Sequence, residues 1–327
     1  MRGYTTIIGS DIATAKLFLE EGDVIGIPTE TVYGLAGNAL NESAVLKIFE
    51  VKQRPFFDPL IVHTHSIDEI GKYVTEIPAK AQMLIERFMP GPLTILLKKR
   101  SLIPDLVTSG LDTVGIRIPS HPLTLQLLKQ IPFPLAAPSA NPFGYISPTA
   151  AQHVLDQLNG KIPYILEGGP SNIGLESTII GFEDEEAIIY RLGGLDLDEI
   201  EKVIGRVRVN INDSSNPRSP GLLKSHYAPK KPLLFGKAET ILTVNAEAIK
   251  SKQVGVIAFN KQLEGINTDH QILLSPTGNL NEAAKNLFAA LRKLDNGDVA
   301  IILATAFPAT GLGLAINDRL RRAAAIA

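Results

Sequence analysis

The stretch that decides the fold runs from Val24 to Ser66. It opens on Val24-Ile25-Gly26-Ile27-Pro28-Thr29-Glu30-Thr31-Val32-Tyr33-Gly34-Leu35. It closes on Lys52-Gln53-Arg54-Pro55-Phe56-Phe57-Asp58-Pro59-Leu60-Ile61-Val62-His63-Thr64-His65-Ser66. Val24 to Ile27 is a short apolar run stopped by a proline, the mark of a strand. A polar, glycine-containing turn follows. Asn41 then caps a predicted helix whose Ala44, Val45, Ile48 and Phe49 share one face. That helix ends before Pro55, because proline disfavours helical backbone in the residue preceding it. Leu60 to His63 reads as the next strand. Strand, helix and strand in so short a span predict an α/β architecture rather than a bundle or a sandwich.

The same alternation continues outward. Ser66 with Glu69 has the pattern of a capping box, for a helix to about Val74, and Pro78 opens another that Pro90-Gly91-Pro92 breaks. Leu93 to Leu97, Thr113 to Ile118 and Pro134 to Ala137 are further strands. Ser147-Pro148 reads as a cap and the first residue of a helix reaching about Leu158. Ser177 to Phe182 and Ala187 to Arg191, separated by an acidic tetrad, form a predicted hairpin, which makes the sheet mixed. From Arg206 to Lys231 periodicity fails and Asn212-Asp213-Ser214-Ser215-Asn216-Pro217-Arg218-Ser219-Pro220-Gly221 has the composition of a linker. A smaller α/β set follows: strands near Leu233, at Val254 to Phe259, Ile272 to Leu274 and Val299 to Leu303, with a helix from Asn281 to Leu294. It predicts a small parallel sheet. The expected domains are 1–205 and 232–327, joined by 206–231.

Composition prunes the functions. A chain of 327 residues, 45% apolar and 20% charged, suits two domains. The formal charge of -2 argues against a surface that grips nucleic acid or anionic membrane all round, leaving room for a local basic groove. With no cysteine, a disulfide framework, a thiolate zinc site and a cysteine nucleophile are excluded together. The longest largely apolar stretch, about Val299 to Phe307, is too short to span a bilayer, and the N-terminus lacks a charged-then-apolar signal pattern. A soluble, cytoplasmic protein is the expectation.

No P-loop, nucleophile elbow, zinc-protease helix or complete dinucleotide fingerprint occurs. Gly311 and Gly313 read as a turn before a helix. Lys52 and Arg54 stand just past a predicted helix end. Cations there offset the helix dipole by about 0.3–1 kcal/mol. The same pair can also converge on a polyanion, the guanidinium forking two oxygens and the ammonium acting as a point charge. His63-Thr64-His65 puts both imidazoles on one face if strand alternation continues. A metal pair, contact with a small ligand and a satisfied edge-strand pair are all open. Alternation along Thr113 to Ile118 sets Val114, Ile116 and Ile118 on one face and Thr113, Gly115 and Arg117 on the other. An arginine beside a glycine suits either a concave anion site or a solvated face. Pro138-Ser139-Ala140-Asn141, Glu167-Gly168-Gly169-Pro170 and Glu176-Ser177-Thr178 are loops able to hold phosphate or carboxylate oxygens, and each is also ordinary turn chemistry.

Six stretches in one order are no longer generic: Pro28 to Leu35, Lys52 to Pro55, Pro59 to His63, Pro90 to Thr94, Ala137 to Asn141 and Glu176 to Ile179. In that order they closely resemble the Sua5/YrdC family, the threonylcarbamoyl-adenylate synthases, over residues 1 to about 205. Ser219-Pro220-Gly221, His226-Tyr227-Ala228-Pro229 and the tail around Gly311-Leu312-Gly313 and Asn317-Asp318-Arg319-Leu320 resemble the Sua5 branch, which carries a C-terminal domain. The resemblance implies a twisted mixed sheet with a positively lined concave face, joined to a smaller Rossmann-like Sua5 domain. It implies a nucleotidyltransferase making threonylcarbamoyl-AMP and pyrophosphate from L-threonine, bicarbonate or carbon dioxide, and ATP, with Mg2+. Partner proteins then move the threonylcarbamoyl group onto adenosine 37 of tRNAs reading codons that begin with A. By the same matching Thr31, His63, Arg117, Ala137 and Ser177 surround threonine. Lys52, Arg54, Asp58, Thr113, Ser139, Asn141, Ser147 and Arg191 contact the nucleotide, and Tyr227 closes over the ligand. Lys52 and Arg54 are the candidates for stabilising charge in the reaction, with His63 orienting threonine or assisting loss of its amine proton; no residue is assigned to metal.

The chain departs from the family pattern at Asp58, where Asn is usual, at Leu192 in Arg191-Leu192-Gly193-Gly194, and through Gly221 to His226. A carboxylate at position 58 either repels phosphate or helps hold magnesium. Two other readings stand beside this one. A carbamoyl-handling module of hydrogenase-maturation type normally brings zinc fingers, which a chain without cysteine cannot supply. A double-stranded RNA or tRNA binder without turnover would use the basic groove, and RNA contact remains an expectation; a membrane partner does not.

Overall fold

The computed structural model describes residues 3–183, 186–210, 226–244, 254–266 and 268–325. The Asn212–Gly221 run and Leu222 to Ser225 lie outside the described residues, as do the two middle residues of the acidic tetrad.

The first sheet has strands β1 (Ile7–Gly9), β2 (Ile25–Ile27), β3 (Gly34–Asn38), β4 (Ile61–His63), β5 (Leu93–Lys98), β6 (Thr113–Arg117), β7 (Leu135–Ala136), β8 (Tyr164–Leu166), β9 (Thr178–Glu183), β10 (Glu186–Arg191) and β11 (Arg208–Val209). Their spatial order is β1-β8-β2-β3-β7-β4-β6-β5-β9-β10-β11. The sheet is mixed: β4 lies parallel to β6, while β5 is antiparallel to β6 and β10 to β9. The second sheet holds β12 (Leu233–Gly236), β13 (Val254–Ala258), β14 (Gln271–Leu273) and β15 (Ile301–Thr305), in the order β12-β15-β13-β14 and parallel throughout. One continuous apolar cluster runs from Val62, Ile95 and Ile116 through Tyr227 to Phe288 and Leu291, so the two α/β units share packing. No described helix is long and apolar enough to cross a membrane.

Local chemistry explains the elements that position the site. Asn41 accepts from the backbone N–H groups of Ser43 and Ala44 and so starts the Glu42–Lys52 helix. Gln53 ends it in the left-handed region at φ 54°, and the chain then turns with Lys52 and Arg54 at its corner. Along β6, Val114 and Ile116 enter the core and leave Gly115 and Arg117 on the opposite face, as alternation requires.

Several expectations are corrected. Ser66 makes no cap bond, and the predicted capping box yields only the single turn Ile67–Ile70 before Gly71. Ser147 does not open a helix. Its hydroxyl donates to Glu176 Oε1 at 2.5 Å, while the helix Ala151–Leu158 starts after Ala150. Strand β4 ends at His63, so alternation does not carry to His65, which lines a separate hollow with Tyr73 and Phe133. Strands β1, β3 and β8 and helices Ile12–Glu20, Pro122–Gln130 and Leu197–Ile204 were not read from the sequence.

Gly193 shows how tightly one wall of the site is built: a Cβ there would stand 2.3 Å from the Glu176 carbonyl oxygen and 2.4 Å from the Ser177 carbonyl carbon. Gly193→Ala therefore forces backbone apart, at a cost of about 1–3 kcal/mol. A lowered melting temperature is expected, and an unchanged one would mean that the two segments are free to separate.

Candidate active site

Strand pairing sets the floor of the site. In the β4–β6 register Ile61 lies opposite Gly115 and His63 opposite Arg117, so the imidazole and the guanidinium stand side by side. Glycine at 115 keeps the floor low, since a Cβ would come within 3.1 Å of Thr94 Cγ2. Arg117 is anchored from behind: its Nη2 donates to Glu30 Oε1 at 2.6 Å and Thr31 Oγ1 at 2.8 Å, and its Nε to the Gly91 carbonyl at 3.3 Å. Glu30 also accepts from the Ser120 backbone N–H at 3.0 Å.

The other cations come from distant segments. Arg191, at the end of β10, donates from Nε and Nη2 to the carbonyl and hydroxyl oxygens of Ser177, each at 3.0 Å. Ser177 Oγ in turn lies 2.7 Å from Thr94 Oγ1. Arg54 donates from Nε to the Asp58 carbonyl at 3.0 Å and from Nη2 to the Pro59 carbonyl at 2.8 Å, and its guanidinium lies over the Phe143 ring. Lys52 is buried and spends its Nζ on the carbonyls of Ser139 and Asn141, at 2.5 and 2.7 Å, holding the loop that forms another wall.

Thr31, Arg54, His63, Arg117, Ala137, Ser139, Ser177, Arg191 and Tyr227 line one cavity. Lys52, Asp58, Asn141 and Ser147 do not reach it and stand behind its walls; Thr113 lines a neighbouring hollow that shares Ile61 and includes Leu96 and Gly115. Asn141 supports its own loop, donating to the carbonyls of Pro142 and Tyr145. Among the described residues no group of three or more His, Asp or Glu could hold a metal ion.

Sequence reasoning gave Glu30 and Glu176 no role, although both lie inside quoted motifs. Glu176 lines the cavity and accepts from Ser147 and, at 2.9 Å, from Nε of Arg319 in the C-terminal unit. A carboxylate within a motif otherwise rich in anion-binding groups was the available signal. Their partners stand far off in sequence. His226 also lines the cavity, beside Tyr227. About 50 Å³ remains free. That is room for a few waters, against about 300–1,000 Å³ for ordinary ligand pockets. Tyr227 reaches this place through a left-handed backbone, φ 64°, rare for a residue with a side chain. Its ring lies against Phe288 and beneath the guanidinium of Arg319.

Burial dominates the titration of these groups. It drives His63 down to about 3, with Arg117 adding to the effect, so the imidazole is neutral at ordinary pH. Burial together with the surrounding cations, Arg54 first among them, holds His226 well below its usual value. Burial pushes the Tyr227 phenol up to about 12. It also raises the Asp58 carboxyl, against the pull of Arg54, Lys52 and Arg191.

A family model described as telomere recombination, covering Sua5, YciO and YrdC, matches residues 17–193. A second, described as the threonylcarbamoyl-AMP synthase C-terminal domain, matches residues 195–325. The threonylcarbamoyl-AMP synthase of Pyrococcus abyssi is 42% identical, over 95% of this chain and 93% of its own length. That of Bacillus subtilis is also 42% identical, over 96% and 92%. The crystal structure of P. abyssi Sua5 complexed with L-threonine superposes with a TM-score of 0.90 at 40% identity, covering 98% of this chain and 97% of that one.

The buried His63 and His226 and the half-buried His153 predict acid sensitivity. His63 and His153, whose values fall to about 3 and about 4, and His226 are neutral in the fold. In the unfolded chain they take up protons near pH 6.5. Below that pH the unfolded state binds more protons. Stability fully present above about pH 6.5 is therefore lost as pH falls toward the folded values. Asp58, raised by burial, acts in the opposite sense, one group against three. Melting temperatures between pH 7.5 and 4.5 should fall on acidification from about pH 6.5 downward; a flat profile would contradict this account.

Proposed function

The chain belongs to the Sua5/YrdC family in its two-domain form, and from that membership we infer the reaction its cavity serves: synthesis of threonylcarbamoyl-AMP. The substrates are L-threonine, bicarbonate or carbon dioxide, and ATP; pyrophosphate is the second product. The observation that carries the reading is the convergence of Arg54, Arg117 and Arg191 from three separate segments on one cavity that also holds a neutral His63. A double-stranded RNA or tRNA binder without turnover is disfavoured, because the relatives that share nearly the whole chain are synthases.

The chemistry follows from those groups. Threonine's amine joins carbon dioxide and loses a proton, giving a carbamate. A carbamate oxygen attacks the α-phosphorus of ATP, the bond from that phosphorus to the bridging oxygen breaks, and pyrophosphate leaves. The carbamate is already an anion, so no side chain has to be deprotonated to make the nucleophile. The protein's task is placement, and neutralisation of charge gathering on the phosphates. Arg117, braced by Glu30, takes threonine's carboxylate, with Thr31, Ala137 and Ser177 around it. Arg54 and Arg191 face the phosphates, and Lys52 acts at one remove by fixing the Ser139–Asn141 loop. Ser139 completes the nucleotide side in this reading, with Asn141 and Ser147 supporting its walls from behind and Thr113 in the adjoining hollow. A base titrating near 3 is poorly matched to an ammonium proton, so His63 orients threonine and leaves the proton to water or bicarbonate. Mg2+ is expected to accompany ATP, held mainly by its phosphate oxygens.

His226 and Tyr227 line the cavity together with Arg54, Arg117 and Arg191, so in this reading their segment moves aside for entry and returns over the ligands, excluding water from a labile mixed anhydride. We propose further that the product passes to threonylcarbamoyl-transferring partners acting on tRNA and that the chain works in the cytoplasm.

The decisive measurement is release of pyrophosphate from ATP, expected only when threonine and bicarbonate are both supplied. Release that needs neither, or salt-sensitive RNA retention without turnover, would overturn the reading. Arg54→Ala should lower turnover by about 10²–10³-fold, the effect of deleting one preorganised donor, measured at a temperature where the variant, which strips buried Asp58 of its ion-pair partner, is still folded. Near-normal adenylate formation in that variant would remove Arg54 from the mechanism. Glu30→Gln keeps a hydrogen-bond partner for Arg117 but removes its counter-charge. It should raise the KM for threonine while the KM for ATP stays put; a shift in the ATP value alone would place Arg117 on the nucleotide.

A further inference from the structure

Asp58 is fully buried, yet neither of its carboxylate oxygens meets an aligned hydrogen-bond donor among the described residues. Oδ2 lies 2.9 Å from Arg54 Nη2, close enough for an ion pair, but the guanidinium aims its N–H groups at the carbonyls of Asp58 and Pro59 instead. A carboxylate retained to fix an arginine would be expected to take its fork directly. Here backbone oxygens fix the arginine, and the carboxylate contributes charge. Arg54 lines the cavity and Asp58 does not, so the negative charge sits behind the cation that a ligand would touch. Lys52 and Arg191 also act on it electrostatically, which puts it in the field of three cations of the site.

We propose that Asp58 is a built-in counter-anion that limits the cavity's affinity for polyphosphate, so that pyrophosphate leaves once the adenylate has formed. This rests on the reading of the cavity as a triphosphate site. Three cations with no such opposition would hold a product of several negative charges tightly, and release would limit turnover. A buried carboxylate without aligned donors is costly to the fold. Partial cancellation of the site's field is the return it offers. Coordination of a cation is the competing role, but the guanidinium already stands against Oδ2 on the side facing the cavity.

The test uses the full chain and the variants Asp58→Asn and Asp58→Ser, with pyrophosphate alone as the probe in calorimetry and thermal-shift experiments. Both variants should bind pyrophosphate about tenfold more tightly than the parent and show a larger rise in melting temperature on adding it. The multiple-turnover rate should fall relative to the single-turnover rate of adenylate formation in the same variant. Unchanged or weaker pyrophosphate binding would overturn the proposal. Weaker binding with a raised magnesium requirement would make Asp58 a cation ligand instead. Loss of the fold in both variants would make it a structural counter-ion and overturn it equally. A parent chain that binds neither ATP nor pyrophosphate would refute the triphosphate site itself, before Asp58 comes into question.

Discussion

Cations withdrawn from water govern this molecule. Lys52, Arg54, Arg117, Arg191 and Arg319 are all buried around one cavity, and an uncompensated buried charge is among the most destabilising features a fold can carry. Each is therefore answered. Lys52 and Arg54 are met mainly by carbonyl oxygens at loop ends, Arg117 by Glu30, Arg191 by Ser177, and Arg319 by Glu176, Asp318 and the Leu192 carbonyl. The loops Ser139–Asn141, Asp58–Pro59 and Glu176–Ser177 are held where they are largely because their oxygens are needed there. Site and scaffold are the same set of bonds.

This explains which parts could be read in advance. The β6 faces were legible because alternation is local: Val114 and Ile116 go inward whatever the rest of the chain does, and Arg117 must then lie with Gly115. Asn41 was legible for the same reason, the N–H donors to its side chain lying two and three residues ahead. Ser147 was misread because its hydroxyl prefers Glu176, 29 residues away, to the N–H groups of a helix. His65 was misread because periodicity does not announce where a strand stops. The convergence of six motifs came from a family resemblance, which carries long-range information that no local rule contains.

The acidic residues show the limit most clearly. Glu30 and Glu176 sit in motifs quoted from the sequence, but what they do depends on arginines 87 and 143 residues further along. A carboxylate in an anion-binding site reads as an intrusion until its partner is known. With the partner in view it has a reason to be there: a guanidinium held on one edge by a buried carboxylate leaves its other edge pre-aimed, losing less freedom on binding.

The same logic accounts for the second domain's contact with the first. Arg319 is fully buried, lies 5.0 Å from the Tyr227 ring centre and reaches Glu176 on the cavity wall. Without it, Glu176 would present uncompensated negative charge to a cavity that must take up polyanions. The ring of Tyr227 would also lose the cation it lies against. Arg292 repeats the pattern on the other side, donating to the Ile146 and Ser147 carbonyls beneath Tyr145. The C-terminal unit therefore does more than follow the linker. It supplies the counter-charge for one wall and a surface for the aromatic residue that fills the space between. Removing it would leave Glu176 without its guanidinium partner and Tyr227 without the surface it packs on.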